Sequence, residues 1–112
     1  MIANQKVAVI IAAAGSGSRM GGGVLKQHIK INGTPMAVLA SKVFLRCEEI
    51  DCLVYVGEKN APVSEALFGS TGKEIIVAEG GRRRQDSVAN GLRSLPRDVD
   101  IVLVHDGARP FI

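Results

Sequence analysis

The chain has 112 residues, a hydrophobic fraction of 46%, a charged fraction of 22% and a formal net charge of +3, which bounds it to one modest globular domain spanning residues 1–112. Aromatic residues make up only 4% with no Trp, too few for the stacking platforms that hold single-stranded nucleic acid. No apolar stretch is long enough to span a membrane, and mild basicity suits an anionic small molecule as well as a nucleic acid.

The first predicted element is the apolar run VAVIIAAA, residues 7–14. With Lys6 before it and alanines at its end it superficially resembles a signal peptide. It leads straight into a charged glycine loop, however, and its Val and Ile content is that of a core strand. The loop itself reads AAAGSGSRM, followed after GGGVL by Lys26. A dinucleotide fingerprint GxGxxG would need glycine at position 20, where Met20 stands, and no GK[ST] closes a Walker A loop. What remains is a run of small residues, Ala13, Ala14, Gly15, Ser16 and Gly17, whose backbone N–H groups can approach phosphate oxygens without Cβ interference. Arg19 would add a bidentate fork and Lys26 a mobile point charge. The plainer alternative is a glycine turn carrying two solvated cations.

A helix follows in TPMAVLASKVFLRCEEI, with Thr34 as N-cap, Pro35 at the first helical position, and Met36, Ala40, Val43, Phe44 and Cys47 sharing one apolar face. The strand CLVYVG, residues 52–57, comes next, then a shorter helix in APVSEALF and the strand EIIVAEGG, residues 74–81. In RRQDSVANGLRSL the residues Val88, Leu92 and Leu95 fall at i, i+4 and i+7 of a further amphipathic helix. The strand IVLVHDG, residues 101–107, is the last element. The four strands lack polar alternation and are expected to be buried on both faces of a parallel sheet. Strand and helix in alternation predict an α/β fold: an open, mostly parallel sheet with helices on both faces. A doubly wound sheet normally continues past this point, so the chain reads as the N-terminal part of a larger catalytic domain. Cys47 and Cys52 form no CxxC pair and are expected to be reduced, buried thiols of a cytoplasmic protein.

In open α/β sheets ligands bind beyond the carboxyl ends of the strands. Three of the four strands end in chemically pointed sequences: AAAGSGSRM, EGGRRRQDS and VHDGARP. Asp106 at the end of a buried strand wants a metal or a cation, and Arg109 three residues on offers an ion-pair alternative. Gly80 and Gly81 would let backbone approach a ligand, while Ser87 would start a helix whose positive end faces the site. Arg82, Arg83 and Arg84 cannot all aim at one ligand, and as an RNA-binding patch they are a weak signal.

These three motifs, in this order and at these separations, closely resemble the 2-C-methyl-D-erythritol 4-phosphate cytidylyltransferases, nucleotidyltransferases with a glycosyltransferase-A-like (Rossmann-like) fold. The resemblance covers Ala12 to Pro110, and ribitol-5-phosphate cytidylyltransferases share much the same trio. It implies transfer of CMP from CTP to a sugar-alcohol phosphate with release of pyrophosphate, assisted by Mg²⁺, in isoprenoid biosynthesis. By that resemblance the first loop wraps the triphosphate, and Arg19 and Lys26 stabilise the pentacoordinate phosphorus. Asp106 matches the metal-binding aspartate, Arg109 lies beside the phosphates, and Ala13, Ala14, Gly81 and Ser87 match positions that hold the cytidine. His28 and His105 are expected to be structural. The chain departs from many relatives in carrying Arg82 where they have an acidic residue. Family members are also longer, and their C-terminal half supplies further strands, a dimer-forming arm and the cations that grip the acceptor. The resemblance therefore implies a homodimer for the complete enzyme. A different class of reading is a truncated, non-catalytic module that binds CTP, and no nucleic-acid or membrane partner is expected.

Overall fold

The structure, a computed structural model, describes residues 4–13, 30–31, 34–57 and 72–106. Along the chain the described elements are β1 (Val7–Ala12), β2 (Lys30–Ile31), β3 (Thr34–Pro35), α1 (Met36–Leu45), β4 (Cys52–Gly57), β5 (Glu74–Glu79), α2 (Arg84–Ser94) and β6 (Ile101–Asp106). Four of the strands form one sheet in the order β5-β4-β1-β6, every neighbouring pair parallel. β2 and β3 make a small antiparallel pair apart from it. The helix proposed in APVSEALF lies outside the described residues.

The period of two in a strand divides the buried residues between the two faces of the sheet. Val7, Val9, Ile11, Ala13, Leu53 and Tyr55 pack with Ala37, Val38 and Leu45 of α1. Ala8, Ile10, Cys52, Val54 and Val56 form the opposite cluster, with Leu95 and Val99 packed against it. On that face Gly91 of α2 lies against Ile10 and Val56. The expected α/β sheet with a helix on each face is therefore present. Fully burying each Val, Ile or Leu contributes about 1.5–3 kcal/mol, and β1 and β4 are buried at every position.

The outer strands behave differently. β5 is only partly buried, and β6 leaves Val102, Leu103 and Val104 36%, 44% and 46% exposed. The expectation that all four runs are buried on both faces thus holds for the two central strands only. Among the described residues β5 and β6 each have one neighbouring strand instead of two, and composition does not encode position in the sheet.

Both helices use only part of the faces their apolar patterns suggest: Ala40 is buried and Phe44 and Leu95 pack against the core, but other residues join them. Thr34 and Pro35 are extended, with Thr34 opposite Ile31 and Pro35 opposite Lys30, so α1 starts at Met36 and not at Pro35. The residue before a proline is pushed toward extended backbone, and a proline at a ladder end loses no needed donor. The buried side of α1 is Ala37, Val38, Ala40, Ser41 and Leu45, while Val43 is exposed. The Ser41 hydroxyl donates to the Ala37 carbonyl at 2.8 Å, which satisfies it in the core. Cys47 lies past the helix end and is exposed, which corrects the expectation of two buried thiols. Cys52 alone is buried, and both are unpaired.

In α2 the buried residues are Ser87 and Gly91, and Leu92 is 48% exposed. A Cβ on Gly91 would stand 2.9 Å from Ile10 Cγ2 and 3.0 Å from Val56 Cγ2. The helix lies so close to the sheet that only its smallest residues fit beneath it, which leaves Leu92 on the exposed side and Val88 half-buried.

Candidate functional site at the carboxyl edge of the sheet

The register brings the strand ends into one row. Ala12 stands opposite both Val56 of β4 and Asp106 of β6, and Val56 stands opposite Ala78 of β5. Because all four strands are parallel, the ends of the three pointed sequences share one edge of the sheet. β1, β4 and β5 add outward in one direction, after which α2 carries the chain back to the far side of β1. The order of connection reverses between β1 and β6, and ligands in open α/β sheets bind at such switch points. Ala12 and Asp106 flank this one. Of Asp106 the structure describes the backbone and its register.

Ala13 is fully buried, and its N–H donates to the Val56 carbonyl at 2.9 Å. The Gly80 N–H donates to the carbonyl of the adjoining Gly57 at 2.9 Å. The first and third strand ends are thus tied to consecutive residues of β4, which fixes their spacing. Ala14, Gly15, Ser16, Gly17, Arg19, Lys26 and Arg109 lie outside the described residues, as does His28.

The glycine pair after β5 is held from α2. Gly81 donates its N–H to the Ser87 hydroxyl at 3.0 Å, and Ser87 is fully buried. Asp86 accepts the Arg83 backbone N–H at 3.2 Å, and the Arg83 guanidinium folds back on the same carboxylate at 3.2 Å through Nε. That Arg83 contact, ahead of the opposing effect of desolvation, holds the Asp86 carboxyl below the usual carboxylate range. Gly81 needs to be glycine because a Cβ there would meet the Asp86 Cβ at 2.4 Å. Its smallness therefore serves this packing, and its N–H is committed to Ser87. Ser87 is the fourth residue of α2 and not its start, since the helix opens at Arg84. Arg82, Arg83 and Arg84 are all exposed, and Arg83 is turned back on Asp86 rather than outward.

Two further residues at this edge escaped the sequence reading. Asn90 Nδ2 donates to the Glu79 carbonyl at 3.0 Å, and Arg93 donates to Asn90 Oδ1 at 2.8 Å. Their signal in the sequence was their spacing from Asp86 and Ser87, which puts Asn90 one helical turn on along the same side of α2. His105 packs edge-to-face on Phe44 with ring centroids 5.1 Å apart, which agrees with a structural role. Among the described residues no three His, Cys, Asp or Glu side chains converge as a metal cluster.

The opposite edge of the sheet is held by charge. The Lys6 backbone N–H donates to Asp100 Oδ2 at 2.8 Å, and Lys6 Nζ lies 3.1 Å from Asp98 Oδ1 and 3.8 Å from Glu74 Oε1. The Val7 N–H donates to Asp51 Oδ2 at 2.9 Å. These carboxylates satisfy strand ends and face away from the carboxyl edge.

Comparison with known proteins finds a match to the family model described as IspD: 2-C-methyl-D-erythritol 4-phosphate cytidylyltransferase over residues 7–112. The chain is 45% identical over 112 residues to the 2-C-methyl-D-erythritol 4-phosphate cytidylyltransferase of Clostridium perfringens, a match covering 96% of this chain and 48% of that one. The enzyme of the same description from Alkaliphilus oremlandii is 42% identical, again with 96% and 48% covered. Among solved structures, the 4-diphosphocytidyl-2C-methyl-D-erythritol synthase of Anaerococcus prevotii superposes with a TM-score of 0.75 at 28% identity, over 96% of this chain and 45% of that one. The Francisella tularensis 2-C-methyl-D-erythritol 4-phosphate cytidylyltransferase gives 0.63 at 26% identity, with 95% and 45% covered. The chain spans about half the length of the curated relatives it matches.

Proposed function

The chain belongs to the 2-C-methyl-D-erythritol 4-phosphate cytidylyltransferase family, and from that premise we propose that it carries the nucleotide half of a site that transfers CMP from CTP to 2-C-methyl-D-erythritol 4-phosphate. In this reaction a phosphate oxygen of the acceptor attacks the α-phosphorus of CTP, the bond to the β-phosphate oxygen breaks, and pyrophosphate leaves. The attacking phosphate is already an anion, so no general base is needed. Catalysis reduces to alignment and charge neutralisation. The observation that carries the reading is the register of Ala12 with Asp106 across the switch point, which sets a carboxylate-bearing residue beside the start of the small-residue loop.

In this reading Ala13, Ala14, Gly15, Ser16 and Gly17 cradle the triphosphate, with Arg109 beside it. Arg19 and Lys26 neutralise charge developing at the α-phosphorus. Gly81 and Ser87 shape the cytidine side of the site. Because the Gly81 N–H is taken by Ser87, that side meets the nucleotide with backbone surface and carbonyls and not with that donor. Asp106 would hold Mg²⁺, a cation usually bound by one or two carboxylates together with substrate phosphates. The metal supplies Lewis-acid polarisation of those phosphates when bound. Unpaired cysteines suit the cytoplasm, and no described helix is long and apolar enough to cross a membrane. We assign the activity to isoprenoid biosynthesis and the complete enzyme to a homodimer on family membership alone.

The test is an assay of the 112-residue chain for Mg²⁺-dependent CTP binding and for pyrophosphate release with methylerythritol phosphate or ribitol phosphate as acceptor. Release with the first acceptor supports the reaction as written, and release with the second only would move the chain to ribitol-5-phosphate chemistry. CTP binding with no turnover would favour a non-catalytic CTP-binding module. Absence of CTP binding overturns the proposal. Where turnover is measured, Lys26→Ala lowers it at least about a hundredfold, and Asp106→Asn abolishes its Mg²⁺ dependence.

A further inference from the structure

The segment of residues 79–83, from the last residue of β5 to the start of α2, is pinned at three points by side chains on one side of α2. Asn90 holds its first residue through the Glu79 carbonyl, Ser87 its middle through the Gly81 N–H, and Asp86 its last through the Arg83 N–H. Among the described residues β5 is the outer strand of the sheet, and its last bond to β4 runs from the Gly80 N–H to the Gly57 carbonyl. From Gly81 on, the described hydrogen bonds of this backbone run to α2. The second and third pins lie close together on the first turn of the helix, whereas Asn90 sits a turn further in.

Asn90 is itself oriented. A carboxamide offers donors at one end and an acceptor at the other. Arg93 donates to Oδ1 at 2.8 Å, and a guanidinium can only donate, so Nδ2 is the end that faces the Glu79 carbonyl. Rotating the amide by half a turn would set two acceptors against each other at Glu79 and two donors against each other at Arg93. The Arg93–Asn90 contact therefore selects the amide orientation that holds the loop.

From this geometry we infer that Asn90 is a positioning residue for the base-binding side of the site, with Arg93 setting its orientation. Asn90 acts through the Glu79 carbonyl on the angle at which the chain leaves the Gly80–Gly57 bond, and so on where Gly81 is presented at the carboxyl edge. The inference rests on the proposed assignment of this loop to the cytidine. It predicts a division of labour: the 79–83 loop, held from α2, sets the fit to the base, while the small-residue loop after β1 takes the phosphates.

The test uses the 112-residue chain and the near-isosteric Asn90→Asp, which still accepts from Arg93 but presents a second acceptor to Glu79. Three quantities are measured: affinity for CTP, affinity for inorganic tripolyphosphate with Mg²⁺, and amide exchange at Gly81 and Arg82 without nucleotide. The expected result is CTP binding weakened about fivefold, the size of one net hydrogen bond, with tripolyphosphate binding unchanged and exchange at both amides accelerated. A purely structural role would weaken both ligands alike or neither, and either pattern overturns the inference. If the wild-type chain binds no CTP, the functional reading falls by itself. Exchange then decides the positioning, since unchanged exchange in Asn90→Asp overturns it and accelerated exchange upholds it. If Asn90→Asp does not fold, Arg93→Ala on the exposed side of α2 is read in the same way, with a loss of about twofold.

Discussion

Gly81 and Asp86 stand in closest approach at the turn into α2, where a Cβ built on the glycine would lie 2.4 Å from the Asp86 Cβ and 3.2 Å from its carbonyl carbon. The Asp86 Cα follows at 3.3 Å, so two of the three nearest atoms are backbone of the helix and the aspartate cannot simply rotate away. Gly81→Ala therefore shifts the loop off Ser87. The expected cost is about 1–3 kcal/mol, with weakened CTP binding, read by urea denaturation and nucleotide titration. A Gly81→Ala chain with wild-type stability and affinity would contradict this packing.

Gly91 poses a contest between two effects of known size. Alanine in place of a helical glycine gains about 0.8–1 kcal/mol in propensity, whereas forcing a methyl into a filled core costs about 1–3 kcal/mol. The nearest neighbours are Cγ2 methyls of Ile10 and Val56, which belong to β-branched side chains with stiff χ1 angles on fully buried strands. Overpacking wins. Gly91→Ala is expected to lower stability by about 1 kcal/mol net, while Leu92→Gln on the exposed side changes it by under about 0.5 kcal/mol. Equilibrium unfolding of the two variants checks the order.

The two thiols should separate cleanly. Cys47 is exposed, with Sγ donating to Glu49 Oε2 at 3.0 Å. Cys52 is buried in β4, and burial first, then the nearby Glu74 charge, pushes its thiol up to about 11. With a thiol-specific disulfide reagent at neutral pH, one thiol per chain is expected to react quickly and the second only on unfolding. Two equally fast thiols would place Cys52 outside the core.

The dependence of stability on pH follows from groups with opposite signs. The Arg83 contact depresses Asp86, and the Val7 N–H depresses Asp51. A carboxyl with a lowered folded pKa stabilises above its unfolded value, and that contribution disappears as pH falls through the folded value. Lys6 is raised, first by its hydrogen bond to Asp98. Its contribution is complete below the ordinary lysine value and lost as pH rises through the raised one. Thermal midpoints are thus expected to be flat near neutrality, to fall below about pH 4, and to fall again in strong alkali. Asp86→Asn should remove its share of the acid limb, and these exposed pairs should weaken in high salt. An acid limb unaltered in Asp86→Asn would remove that contact from the balance.

The sequence by itself determined the parallel α/β sheet, because runs such as VAVIIA and CLVYVG are apolar at every position and only a strand covered on both faces uses that. It also determined that the motif ends share an edge, since parallel strands point their carboxyl ends one way. It could not determine which strands are central. IVLV and VAVI are equally apolar, yet among the described strands β6 has one neighbour and β1 has two, a difference made by pairing between residues far apart in the chain. The tertiary structure alone decided which side of α2 is buried: Gly91 carries no apolar signal, and it lies beneath the helix because a closely approaching sheet leaves no room for a larger residue. It likewise decided what holds Gly81, through Asp86 and Ser87 on the next element and Asn90 at Glu79. The glycine pair of EGGRRRQDS advertises freedom for a ligand, and only its neighbours in space show that part of that freedom is already taken.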